Sequence, residues 1–363
     1  MVGMQRSKQI PSFTIPPANT PMMKFHTLLA LSSTYLASHA ASSALPITEQ
    51  ASCSSQSSGS SNARVIHQFP NGTWLENIAE RRNGNLLVTL LDRPELYQVD
   101  PHNPANATLV HNFAGYTSLF GITETSPDVF AIIAGNFTPG AGTQEGTYAI
   151  WSTDFAGCKG AEVSKIVDIP EAKLLNGMTT LDANTGEVLV SDSGRGLVLR
   201  VDTKSGEYTT VLENDVFQPA PTAPIQLGIN GIRLLGDHLY YTNTYASVYG
   251  RVAINPATGE AAGPFETIST DVMGDDFALD NQGNAYIAAN PENEAVRVDR
   301  DGDAEVLAGN LNSTLVPGPT AAWLGKAQDR DGKRVLYVVT SGGQAGPING
   351  TYTEGGKILA LDV

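Results

Sequence analysis

One supersecondary pattern recurs six times along the 363-residue chain, and that recurrence leaves few folds open. Each unit reads as an apolar-polar strand, a short turn carrying Gly or Asp, and a second apolar strand. The turn-and-strand cores are NGNLLV from Asn83, PDVFAI from Pro127, TGEVLV from Thr185, GDHLYY from Gly236, QGNAYI from Gln282 and GKRVLYV from Gly332. Between the turn residues Gly84, Asp128, Gly186, Gly236, Gly283 and Gly332 the spacings are 44, 58, 50, 47 and 49. A period of this size marks an array of like units that bury their apolar faces against one another. Short strands with turns, and no helical spacing between them, make the array an all-β, six-bladed β-propeller. Blade boundaries fall at about Trp74–Asp100, Leu119–Asp154, Leu174–Asp202, Gly228–Asn255, Gly274–Arg300 and Gly318–Val363. VIHQFP from Val65 resembles LVHNFAG from Leu109, the expected outer strand of the first blade. It has no earlier blade to join except the last, so residues 64–70 are expected to close the ring beside ILALDV and remove an open sheet edge.

Composition agrees with a turn-rich β chain: 36 Gly, 21 Pro, 41% hydrophobic and 16% charged residues. A net charge of −15 excludes nucleic acid as a partner, since phosphate binding needs clustered Lys and Arg. It equally disfavours anionic membrane surfaces. Residues 23–44 hold Met23-Lys24 and the short apolar run LLALSSTYLASHA ending in small residues, the pattern of a secretory signal. The run is too short and Ser-rich to span a membrane, so no stable membrane insertion is expected. Residues 1–22 then form an upstream extension, and 45–62 a Ser-rich linker before the propeller at 63–363. Five Asn-x-Ser/Thr sequons follow, at Asn71, Asn106, Asn136, Asn312 and Asn349. With the leader they point to a secreted glycoprotein. Cys53 and Cys158, the two cysteines, either pair after export or stay as free thiols.

Familiar catalytic motifs are absent. There is no GxSxG, HExxH or P-loop, and the Gly-rich GAGTQEG at Gly140 lacks dinucleotide spacing. DRDGD at Asp299 opens like a calcium loop, but its sixth and twelfth positions are Ala304 and Asn310, so it reads as a hairpin turn. His67 and His111 are repeat-related and read as structural. What remains is a set of oxygen-bearing side chains at blade starts: Glu76 in LENIA, Asn176 in LNGMT, Asn230 in INGIR and Asp275 in GDDFA. Innermost strands line a propeller's axial channel, so these four should converge near one end of it. The alternative reading has them capping inner strands by satisfying buried backbone groups.

This combination, over residues 64–363, resembles the SMP-30/gluconolactonase superfamily of six-bladed propellers. The resemblance implies that Glu76, Asn230 and Asp275 hold one divalent cation, calcium first, with Asn176 as the auxiliary Asn near metal-bound water or substrate. Such an ion polarises a lactone carbonyl, with Asp275 or Glu76 as base. Two positions depart from the pattern: Asp276 stands where the family has Gly, and Leu174 where lactonases place Arg. The WLENIA opening, PDVFAIIAGNF, DDFALD and the leader are similar to the secreted fungal propellers of secondary-metabolite pathways. Some of these are hetero-Diels–Alderases of tropolone-sesquiterpenoid biosynthesis, joining a tropolone-derived quinone methide to a humulene-type alkene. That resemblance implies hydrophobic small-molecule substrates and hydrogen bonds from Asn176, Asn230, Thr117 or Tyr241. Trp74, Met178, Phe277 and Trp323 would be the apolar walls. A metal-dependent lactonase or esterase is the alternative, and a non-catalytic binding propeller the third reading.

Overall fold

The computed structural model describes residues 63–157, 160–328 and 334–363. The leader, the linker, Cys53, Cys158 and the Gly332 turn lie outside them. Among the described residues, twenty-four strands form six four-stranded antiparallel sheets. Five sheets are simple meanders of consecutive strands. In the sixth, the N-terminal strand Arg64–Gln68 pairs antiparallel with the C-terminal strand Lys357–Asp362. The ring is thereby fastened by both ends of the propeller domain. Among the described residues no helix is long and apolar enough to cross a membrane.

Local sequence explains the blades. The five described residues marking the period sit in the hairpins between first and second strands, all with positive φ: Gly84 at 85°, Asp128 at 63°, Gly186 at 83°, Gly236 at 62° and Gly283 at 88°. Only Gly, and occasionally Asp or Asn, reaches that region cheaply, which is why the pattern keeps those residues there. Second strands such as Leu86–Leu90 and Ala285–Ala289 are buried at every position because both faces meet a neighbouring blade. Outer strands such as Ala107–Asn112 and Glu162–Asp168 are half exposed. Each of the first five blades therefore runs one strand beyond the boundary that its hairpins mark; the second closes at Asp168, not Asp154. The core consists of apolar clusters between blades, for example Leu96, Leu119, Phe130 and Ile132 between the first and second.

Candidate active site

The six inner strands begin at one end of the channel, at Leu75, Ser118, Leu175, Ile229, Phe277 and Pro319. Five of them break register with their partner at the same point: after Leu75, Leu119, Leu175, Ile229 and Pro319. A bulge re-aims the side chain it carries, and here it turns Glu76, Phe120, Asn176 and Asn230 into one pocket, with Asp275 from the start of the fifth blade. Small residues let the strands approach: a Cβ on Gly121 would meet the Asn176 carbonyl at 2.5 Å, and one on Gly177 the Asn230 carbonyl at 2.5 Å. Second-strand hydroxyls lock the bulges. Thr89, Ser191 and Thr242 accept the backbone N–H of Asn77, Gly177 and Gly231 (3.1, 2.8 and 3.0 Å). Each then donates to the next blade, at the carbonyls of Phe120, Asn230 and Asp275 (2.7, 2.7 and 2.5 Å).

The pocket encloses about 100 Å³. Its polar members are tightly interlinked. Asn230 Nδ2 donates to Asp275 Oδ1 (2.8 Å) and to Thr244 Oγ1 (2.9 Å), and Asn290 Nδ2 donates to Asp275 Oδ2 (3.1 Å). Trp74 Nε1 donates to Glu76 Oε2 (3.0 Å). The Asn176 carboxamide makes no hydrogen bond among the described residues, leaving its N–H groups for a ligand. Burial pushes the Asp275 carboxyl up to about 7, against the pull of the Asn290 and Asn230 amides. Burial, then the Asp275 charge, raises Glu76 well above the usual carboxylate range. Both acids are costly to ionise here because no cation of the described residues contacts them.

The far side of this floor is sealed. Asp276 Oδ2 accepts from Arg233 Nη2 (2.7 Å) and Asn77 Nδ2 (2.7 Å), and Arg233 Nη1 reaches the Met178 carbonyl (3.3 Å). Four blades meet in that plug. The departure from Gly at Asp276 is thus one half of a buried ion pair closing the channel beneath the pocket. A larger cleft of about 730 Å³ lies at the opposite end, between the fifth and sixth blades, lined by charged groups such as Arg297, Lys326 and Arg334. It touches none of the axial residues.

Several expected site residues stand elsewhere. Met178 and Phe277 are two residues beyond Asn176 and Asp275 on their strands and are buried between blades, not in the pocket. Trp323 lies near the sealed end, its Nε1 donating to Glu80 Oε2 (3.3 Å). Tyr241 is wholly buried against Phe217 and Phe265, its hydroxyl pushed up to about 12 by burial. Thr117 is exposed and its hydroxyl serves the backbone of Phe137 (2.8 and 2.9 Å). Trp74, Glu76, Asn176, Asn230 and Asp275 do come together. Phe120 was legible but missed: LFGIT aligns with LNGMT and INGIR. Tyr245 and Asn290, on short 3-10 turns after second strands, and Ile225, in a Pro-rich loop, carry no repeat signal.

Among the described residues no three His, Cys, Asp or Glu side chains are grouped to hold a metal. The donors still fit a hard divalent cation: Glu76, Asp275 and Asn230, whose Oδ1 is buried without a partner, would hold it. Bound there, the ion would supply polarisation of a carbonyl oxygen.

Fold and site together define the class: a six-bladed propeller with a small pocket of aromatic, amide and carboxyl groups at one end of its channel. The fold is shared with the calcium-binding protein regucalcin from Agrobacterium tumefaciens, at a TM-score of 0.56 and 16% identity, over 83% of this chain and 94% of that one. No family model matches the chain. At the level of sequence, it is 30% identical over 325 residues to "Putative hetero-Diels-Alderase asR5" of Sarocladium schorii, covering 78% of this chain and 80% of that protein. It is 31% identical over 315 residues to a protein of the same designation from Phoma sp, covering 76% and 85%. The chain belongs to the family of enzymes that these two proteins represent.

Proposed function

We propose that this protein accelerates and steers a hetero-Diels–Alder cycloaddition of the tropolone-sesquiterpenoid kind, between an oxygenated quinone-methide diene and a humulene-type alkene. The observation that carries the reading is the unengaged Asn176 carboxamide inside a pocket that no His lines, beside an aromatic wall and an amide–carboxyl chain whose groups bond to one another. The reaction needs no nucleophile. One C–C and one C–O bond form from the π electrons of the two partners, and no proton or leaving group is exchanged. Catalysis then consists of holding both partners in one orientation and stabilising charge that builds on the diene oxygen. On this reading Asn176 Nδ2 donates to that oxygen. Incubation of purified protein with the two reactants tests this: faster reaction and an altered stereoisomer ratio are expected, and a ratio equal to that of the uncatalysed reaction would sink it. The lactonase reading depends on Asp275 as base or ligand; lactone hydrolysis that is lost in Asp275→Asn would revive it.

The route to this substrate is proposed to pass through the secretory pathway. Asn71, Asn106, Asn312 and Asn349 are exposed and open to glycosylation. Asn136 is half-buried and committed, its Oδ1 accepting from the Thr117 backbone (3.1 Å) and its Nδ2 donating to Gln144 (3.3 Å). An endoglycosidase shift lost in Gln variants of the four, and not of Asn136, is expected.

A further inference from the structure

The pocket is divided into an apolar wall centred on the second blade and a polar side, which Glu76 of the first blade and Asn176 of the third join. Trp74, Leu91, Phe120, Phe137 and Leu174 come from the first three blades and belong to one contiguous apolar cluster. Phe120 and Phe137 meet edge to face at 6.3 Å. Opposite them, Thr244, Asn230, Asp275 and Asn290 from the fourth and fifth blades form a hydrogen-bonded chain. That chain is largely self-satisfied: both N–H bonds of Asn230 are used, and the Thr244 hydroxyl donates to the Gly274 carbonyl (2.8 Å). Tyr245 stands beside it. Its side chain lines the pocket, the Asp275 charge is felt at its phenol, and its hydroxyl makes no hydrogen bond among the described residues.

Resting on the cycloaddition reading above, we infer that the two reactants are sorted across this division. The oxygenated ring lies against the polar side, where the Tyr245 hydroxyl joins Asn176 in donating to its oxygen, and the alkene lies against the aromatic wall around Phe120, Phe137 and Leu174. The physical reason is asymmetric desolvation. An alkene offers no acceptor, so against the amide–carboxyl chain it would strip water from polar groups and return nothing. Against Phe120, Phe137 and Leu174 it removes apolar surface from water instead. The oxygenated ring has the opposite preference. Because the enclosed volume is small, the rest of the alkene extends past Leu227, which packs against the apolar cluster, to the half-exposed Ile225. One sorted arrangement presents one face of each partner to the other.

Equilibrium binding of tropolone and of α-humulene, each alone, to the full chain tests the sorting, read by tryptophan fluorescence since Trp74 lines the pocket. Tyr245→Phe is expected to weaken tropolone about 3- to 10-fold, the loss of one hydrogen bond, and to leave humulene within about twofold. Phe137→Ser should weaken humulene about 10-fold and leave tropolone within about twofold. Ile225→Ser, at an exposed position that cannot compromise folding, should act in the same direction as Phe137→Ser. Equal effects on both probes, or effects of the reverse sense, overturn the sorting. The crossed pattern among the variants, with a wild-type protein that leaves the cycloaddition at its uncatalysed rate, sinks the reaction assignment and leaves the sorting standing.

Discussion

Asn176, Asp275 and Tyr245 show how much depends on single side chains in a pocket this small. Asn176→Ala removes the free donor without touching the bulge beneath it. A drop of about 10- to 100-fold in kcat, with an unchanged circular dichroism spectrum, is expected for one lost hydrogen bond to developing charge. Asp275 predicts a pH dependence of stability. Its folded value near 7 exceeds the ordinary 3.8, so between about pH 4 and 7 the folded state binds more protons than the unfolded one. Stability therefore falls as pH rises through that window, by at most about 1.4 kcal/mol per unit. The real slope is smaller, because Asp275 keeps an edge on the open pocket. Glu76 acts in the same direction. Asp275→Asn should remove the Asp275 share of this slope, so its Tm relative to wild type rises from pH 5 to pH 8; a difference that stays constant over that range refutes the assignment. Which residue faces the pocket was readable at Glu76, Asn176, Asn230 and Asp275 because each sits at one repeat position. Tyr241 and Tyr245 are four residues apart on one blade, and only the end of the second strand at Asn243 separates the buried ring from the one at the mouth.

Two elements carry the ring. The first is the hydroxyl clasp between neighbouring blades at Thr89, Ser191 and Thr242. Replacing Thr242 by Val keeps the shape but strands the Gly231 N–H and the Asp275 carbonyl, a cost of about 1–3 kcal/mol. It should also loosen Asp275, so chemical denaturation and activity are expected to fall together. Sequence hints at the clasp in NLLVTL, EVLVSD and HLYYTN, where a hydroxyl residue ends each apolar run; what it bonds to is set by the next blade. The second element is the N-terminal strand. Its removal (residues 63–68) exposes the edge of Lys357–Asp362 and opens the sixth blade. A Tm loss above about 5 °C is expected, and an unchanged melt would refute the strand's role in closure.

For the molecule as a whole, the channel plug unites four blades through Arg233, Asp276, Asn77 and the Met178 carbonyl. Arg233→Met leaves Asp276 buried and unpaired, a loss of about 3–5 kcal/mol, whereas Arg233→Met with Asp276→Ala should recover most of it. Denaturant midpoints of the two variants decide this, and a double variant no more stable than the single one overturns the pairing. The amino-acid sequence by itself determined the number of blades, the turn positions and the four axial oxygen side chains, because these follow from local patterns repeated at one period. Tertiary structure alone decided that Asp276 pairs with Arg233 across the channel, that Met178, Phe277, Trp323 and Tyr241 turn away from the pocket, and that Tyr245, Asn290 and Ile225 complete it. These contacts join residues from different blades, and their separation in the chain exceeds any period that one repeat can encode.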